Sequence, residues 1–213
     1  MGRNHNIAKR LSWAGAAAAG APLPQVGELH LRHRGLQPEA AVLFDSAQRV
    51  VLDRHHTPPV PLRVAVLNAG AEAATLTEHP HGWEVSGART RAGHANTADA
   101  TRDAAYGVAI SAAGAHLNLV ALSRAECLTG SDWYLGPPGQ PMGAEEDDLE
   151  RSVKLEVSGV DAGDRSRILE RVEQKLTQAE EGDSDLPAVA AVVAFRERLV
   201  VLAELERVRI GNG

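Results

Sequence analysis

Cysteine is nearly missing from this chain: Cys127 is the only one in 213 residues. That excludes an intramolecular disulfide and a multi-cysteine zinc site. A lone thiol in an apolar–polar run reads as a small packing residue rather than a nucleophile. Aromatic residues make up 3%, so the core has to come from aliphatic side chains and from close approach of alanine-rich elements. No apolar run approaches the roughly 18 residues that would cross a bilayer as a helix, and no membrane association is expected. Near the N-terminus Arg3, Lys9 and Arg10 precede a stretch from Leu11 to Ala21. That stretch is small rather than greasy, with only Leu11 and Trp13 strongly apolar, which disfavours a secretion signal. A cytoplasmic protein is the expectation.

The chain holds 44% apolar and 23% charged residues, ordinary values for a globular protein that can bury a real core. The formal charge of −6 is unevenly spread. Residues 1–94 carry ten Lys or Arg against seven Asp or Glu, whereas residues 95–213 carry twelve against twenty-one. Eight of the nine histidines also precede residue 95. Two independent shifts at one place predict a boundary near residue 94, with a β-rich N-terminal region over 1–94 and an α/β domain over 95–213.

In the first part, Val26 to His33, Ala41 to Phe44, Arg49 to Asp53 and Arg63 to Leu67 have strand-like content, interrupted by Pro58, Pro59 and Pro61. His55–His56 and His79-Pro80-His81 are metal-competent in chemistry, but on loops such histidines are commonly solvated. In the second part, Asn96 or Thr97 is placed to cap a helix from Ala98 to Ala113. Strands are expected over Leu117–Leu122, Gly130–Leu135 and Val153–Val160, then a helix over Arg165–Ala179. A strand over Ala188–Phe195 follows, and a closing helix from Arg196 to Val208 with Leu199, Leu202, Leu205 and Val208 at helical spacing. That order calls for an α/β fold with a central mixed sheet flanked by helices.

Two carboxylates stand out within that frame. Asp132 opens the run Asp132-Trp133-Tyr134-Leu135, and Glu156 lies mid-strand in Val153-Lys154-Leu155-Glu156-Val157-Ser158. Side chains alternate across a strand, so Lys154, Glu156 and Ser158 share one face. On the next helix Ile168, Leu169, Val172, Leu176 and Ala179 define an apolar arc, and at about 100° per residue Lys175 falls inside it. A lysine there needs a carboxylate or an exit to water, and Glu156 is an available partner.

With Asp103 on the first helix, Gly130-Ser131-Asp132-Trp133-Tyr134 on one strand, Leu155-Glu156-Val157-Ser158-Gly159 on the next and Gln174-Lys175 on the following helix, residues 95–205 resemble the PD-(D/E)XK nuclease superfamily. The resemblance implies a restriction-endonuclease-like fold and a metal-dependent nuclease. It implies that Asp132 and Glu156 hold Mg²⁺ or Mn²⁺, with Asp103 as an outer ligand and Lys175 helping to place the attacking water and the phosphate. Ser158 stands where the superfamily's Glu-x-Lys lysine belongs, and Lys175 or Lys154 would substitute, with Lys175 preferred. The acidic balance works against nucleic-acid binding unless Arg102, Arg124, Arg165, Arg167, Arg171 and Lys175 gather locally. Two other classes stay open. One is a degenerate nuclease fold binding a partner protein in a bacterial defence or toxin–antitoxin-like assembly. The other is a structural, oligomeric protein.

Overall fold

Pro38 at the first helical position and Glu39 in the first turn start helix α1 (Pro38–Asp53), where a missing N–H costs nothing and an acid suits the helix dipole. Among its buried residues, Phe44, Ala47, Gln48, Val51 and Leu52 recur at three- and four-residue spacing. This corrects the expectation of strands at Ala41–Phe44 and Arg49–Asp53: the Val and Leu content is strand-like, but the period is helical. The computed structural model describes residue 11 and residues 36–125, 131–140, 152–181 and 186–205. The expected strand at Val26–His33, Cys127 and the acidic run 145–150 lie outside the described residues.

After α1 come β1 (Val60–Leu67), β2 (Thr75–His81), the short α2 (Ala88–Gly93) and α3 (Thr97–Leu117). Then follow β3 (Val120–Arg124), β4 (Trp133–Gly136), β5 (Val153–Val160), α4 (Arg165–Glu181), β6 (Ala188–Ala194) and β7 (Leu199–Glu204). Helix α3 begins at Asn96, whose side-chain oxygen accepts from the N–H groups of Ala98 and Asp99 at 3.0 and 3.3 Å. It ends at Asn118, which takes the left-handed conformation with φ 54°. The helix therefore runs a turn beyond the expected Ala113, and the strand expected from Leu117 starts at Val120.

The strands form one seven-stranded mixed sheet in the order β2-β1-β7-β6-β5-β4-β3. The pairs β1/β7 and β5/β6 are parallel, and the other four are antiparallel. Strands from both sides of residue 94 thus share hydrogen bonds, with β1 running beside β7. The closing helix expected from Arg196 is instead the second arm of a hairpin: β6 turns through Arg198, at φ 52°, into β7. Leu199, Val200, Val201, Leu202 and Ala203 are all buried. A strand covered on both faces reads as a continuous apolar run, and its leucines happened to fall at helical spacing.

Alternation assigns the two faces. Leu155, Val157, Val189, Ala191, Val193, Val200 and Leu202 share a core with α1 and α3. Val160, Ala190, Val192, Ala194 and Val201 share a second core with Ile168, Val172 and Leu176 of α4. Helix α3 buries Ala100, Ala104, Ala105, Ala109, Ala112 and Ala113. Where these alanines face the strands, their small side chains let the helix sit close to the sheet. At Gly159 a Cβ would stand 2.7 Å from the Thr101 carbonyl oxygen, so the contact depends on glycine there. No helix among the described residues is long and apolar enough to cross a membrane.

Candidate active site

Strand β4 pairs with β5 only over Trp133–Leu135, so β5 beyond Leu155 loses its β4 partner. Asp132 stands at that break. Its N–H donates to the Leu155 carbonyl at 3.0 Å, and its carboxylate oxygen Oδ2 accepts from the Val157 N–H at 2.8 Å. A side chain thereby takes the place of a ladder carbonyl, and the carboxylate is fixed by backbone rather than by a flexible contact.

Glu156, one residue on, faces α4. Lys175 reaches it from the apolar arc of that helix, with Nζ donating to Glu156 Oε2 at 2.8 Å. The same ammonium lies 3.9 Å from Asp132 Oδ2. The structure therefore brings Asp132, Glu156 and Lys175 together. Their side chains are 23%, 6% and 19% exposed, respectively, so the group opens to solvent from the Asp132–Lys175 side. Burial raises the pKa of Glu156; Lys175 opposes that shift and the nearby Asp132 adds to it.

Tyr106 completes the arrangement and was not a sequence candidate. Its hydroxyl donates to Asp132 Oδ1 at 2.8 Å, so each carboxylate oxygen of Asp132 accepts a short hydrogen bond. Burial, reinforced by the Asp132 carboxylate, pushes the phenol up to about 12, and it remains a donor across the physiological range. The ring packs at 5.8 Å from Phe44 and 6.1 Å from Trp133, while the Arg124 guanidinium lies 5.7 Å from its centroid. The available signal was a single hydroxyl-bearing aromatic in the apolar stripe of an alanine helix.

Lys154 and Asp103 have other partners. Lys154 is buried on the Glu156 face but donates to the Ala179 carbonyl at the end of α4, 3.3 Å away. Asp103 pairs with its neighbour Arg102 at 3.4 Å. Among the described residues, no three His, Cys, Asp or Glu side chains gather as a metal-ion set. The histidines expected on loops are structural participants. His55 bonds Asp161 at 2.9 Å, His56 the Phe195 carbonyl at 2.9 Å, and His81 the Gln48 amide at 2.6 Å. His79 meets His116 at 2.9 Å. His116 is pulled below its ordinary pKa by burial, with His79 adding to the effect.

A cleft of about 590 Å³ opens along the bare edge of β5. Thr97, Thr101 and Arg102 of α3 form one wall, Arg171, Gln174 and Lys175 of α4 the other, and Val157 to Gly159 the floor. Two of these residues touch the carboxylates: Val157 through its N–H and Lys175 through its ammonium. Of the expected basic cluster, Arg102, Arg171 and Lys175 line the cleft, and Arg124 lies over Tyr106.

Comparison with known protein families, curated proteins and solved structures returns no match to this chain. The functional reading rests on the site itself.

Proposed function

We propose that this protein is a divalent-metal-dependent phosphodiesterase acting on nucleic acid, a member of the PD-(D/E)XK superfamily in which a helix lysine replaces the strand lysine. The observation that carries the reading is the convergence of Asp132, Glu156 and Lys175 at the break between β4 and β5. The residues fit a hard cation in two respects. Both carboxylates offer oxygen donors of the kind Mg²⁺ and Mn²⁺ prefer. In addition, Glu156 is a buried acid held beside a second carboxylate, an arrangement that calls for positive charge. A bound divalent ion supplies acidification of water and charge neutralisation at the phosphoryl oxygens.

The protein's own groups divide the remaining work. Tyr106 and the Val157 N–H orient Asp132. Lys175 sits between the carboxylates and the cleft, where it would hold a phosphate oxygen or neutralise the charge that develops on it. Asp103 is assigned at most an outer role, through Arg102.

One observation favours the partner-binding alternative. Tyr106, Val157 and Lys175 already occupy both oxygens of Asp132 and one of Glu156, as a purely structural ion pair would.

The test is incubation of purified protein with Mg²⁺ or Mn²⁺ and plasmid, single-stranded DNA or RNA. Cleavage by the parent that Asp132→Ala and Glu156→Ala both lose supports the phosphodiesterase. Absence of cleavage, or cleavage that both variants retain, sinks it and leaves the partner-binding reading.

A further inference from the structure

The cleft beside the carboxylates is lined by more bases than acids, in a chain of acidic balance. Among the described residues its lining carries Arg102, Arg171 and Lys175 against the single acid Asp161, in a protein of formal charge −6. Arg102 is shared between Asp99 at 3.1 Å and Asp103 at 3.4 Å. Arg171 bonds only the neutral Gln174 amide, at 2.9 Å, so its charge is uncompensated by any carboxylate among the described residues. The remaining polar lining consists of the hydroxyls of Thr97, Thr101 and Ser158 and the amides of Gln174 and Gln178. These groups suit phosphate and sugar oxygens.

Among the described residues, no aromatic side chain lines the cleft. Tyr106, which bonds Asp132, and Trp133, next to Asp132 in sequence, are buried in the core with Phe44. Stacking on aromatic rings is how single-strand binders commonly hold bases, and the described lining offers no such platform. Its volume of about 590 Å³ falls in the ~300–1,000 Å³ range of small-ligand sites. That is room for a nucleotide unit or two.

Resting on the phosphodiesterase reading, we infer that the cleft takes the sugar–phosphate backbone of a single strand, gripped by Arg102 and Arg171, without regard to its bases. Such a grip positions the strand and carries no sequence information. It sets the neighbouring phosphodiester beside Lys175, Asp132 and Glu156.

The experiment measures fluorescence anisotropy of labelled oligo-dT and oligo-dA with Asp132→Ala protein in EDTA, where no cleavage occurs. The Asp132→Ala, Arg102→Gln, Arg171→Gln triple variant runs alongside, and thermal melts confirm that both proteins fold. The expected result is similar affinity for the two oligomers, with about a tenfold loss in the triple variant. The log–log salt slope should also shrink by about 1.4, for two single-strand phosphate contacts. Undiminished binding by the triple variant overturns the inference. So does a preference of more than about tenfold between oligomers, or displacement by polyglutamate or free mononucleotide as effective as by unlabelled strand. Because binding is read without metal or turnover, a protein that binds in this way but never cleaves loses the phosphodiesterase reading and keeps the cleft assignment.

Discussion

The two faces of the sheet solve the same packing problem with different residues. Under α3 the interface is made of alanines, Val157, Leu155 and Gly159, with the aromatic trio Phe44, Tyr106 and Trp133 beside it. Under α4 the same strand presents Lys154 and Glu156, both nearly inaccessible, and the helix answers with Lys175 and the Ala179 carbonyl. The first face depends on the absence of atoms, the second on placing charges that must be matched. A side chain too many should break the first, and a charge too few the second. Buried charge with a matched partner is a weak source of stability compared with good apolar packing. In the proposed site these charges stand on the α4 face only, beside the cleft.

The largest effect should come from the tight face. Gly159→Val forces atoms into the Thr101 backbone and should cost about 3 kcal/mol. At this chain length that lowers the melting temperature by roughly 6–12 °C. A melt within a degree or two of the parent would mean that α3 is free to shift and that closeness is not what holds this face.

Lys175→Ala attacks the other face by leaving Glu156 without its ammonium. With Lys175 partly solvated, the loss should be about 2 kcal/mol, below the ~3–5 kcal/mol seen when fully buried pairs are broken. Urea unfolding with an unchanged slope would measure it. A stabilised variant would show that the pair serves function at the expense of the fold.

The smallest effect sharpens the contrast through pH. Glu156 has a folded-state pKa above its ordinary 4.5 because burial penalises the carboxylate. Its contribution to stability is therefore complete in acid and declines as pH rises through the raised value. Glu156→Gln removes that decline, so the melting-temperature difference, variant minus parent, should grow as pH increases from 4.5. A difference that is flat, or that shrinks, would mean that Lys175 outweighs burial.

The α/β class was readable because β5, β6 and α4 carry patterns that admit few alternatives. The placement of Lys175 on the strand-facing arc of α4 followed from helical period alone. Helix α1 was misread because its Val and Leu content outweighed the signal of Pro38 and Glu39. Strand β2 was hidden by His79-Pro80-His81, a sequence that an edge strand tolerates because Pro80 points its missing N–H away from the single neighbour, β1. Strand β7 could not be told from a helix, since burial on both faces erases the alternation that would identify it. Tyr106 escaped for another reason. Its role is set by a contact with Asp132, twenty-six positions along the chain, and no local pattern announces such a contact.

The pairing of β1 with β7 bears on how the molecule is made. During synthesis α1, β1 and β2 leave the ribosome early, yet the inner edge of β1 waits for residues from Leu199 onward. The last strand among the described residues is inserted into the middle of the sheet, between β1 and β6. Until it arrives, the nascent chain carries two separate half-sheets with open, apolar edges. Such long-range closure is slow and leaves those edges open to wrong partners. A chaperone, or fast completion of translation, should therefore matter more to the yield of this protein than its modest size implies.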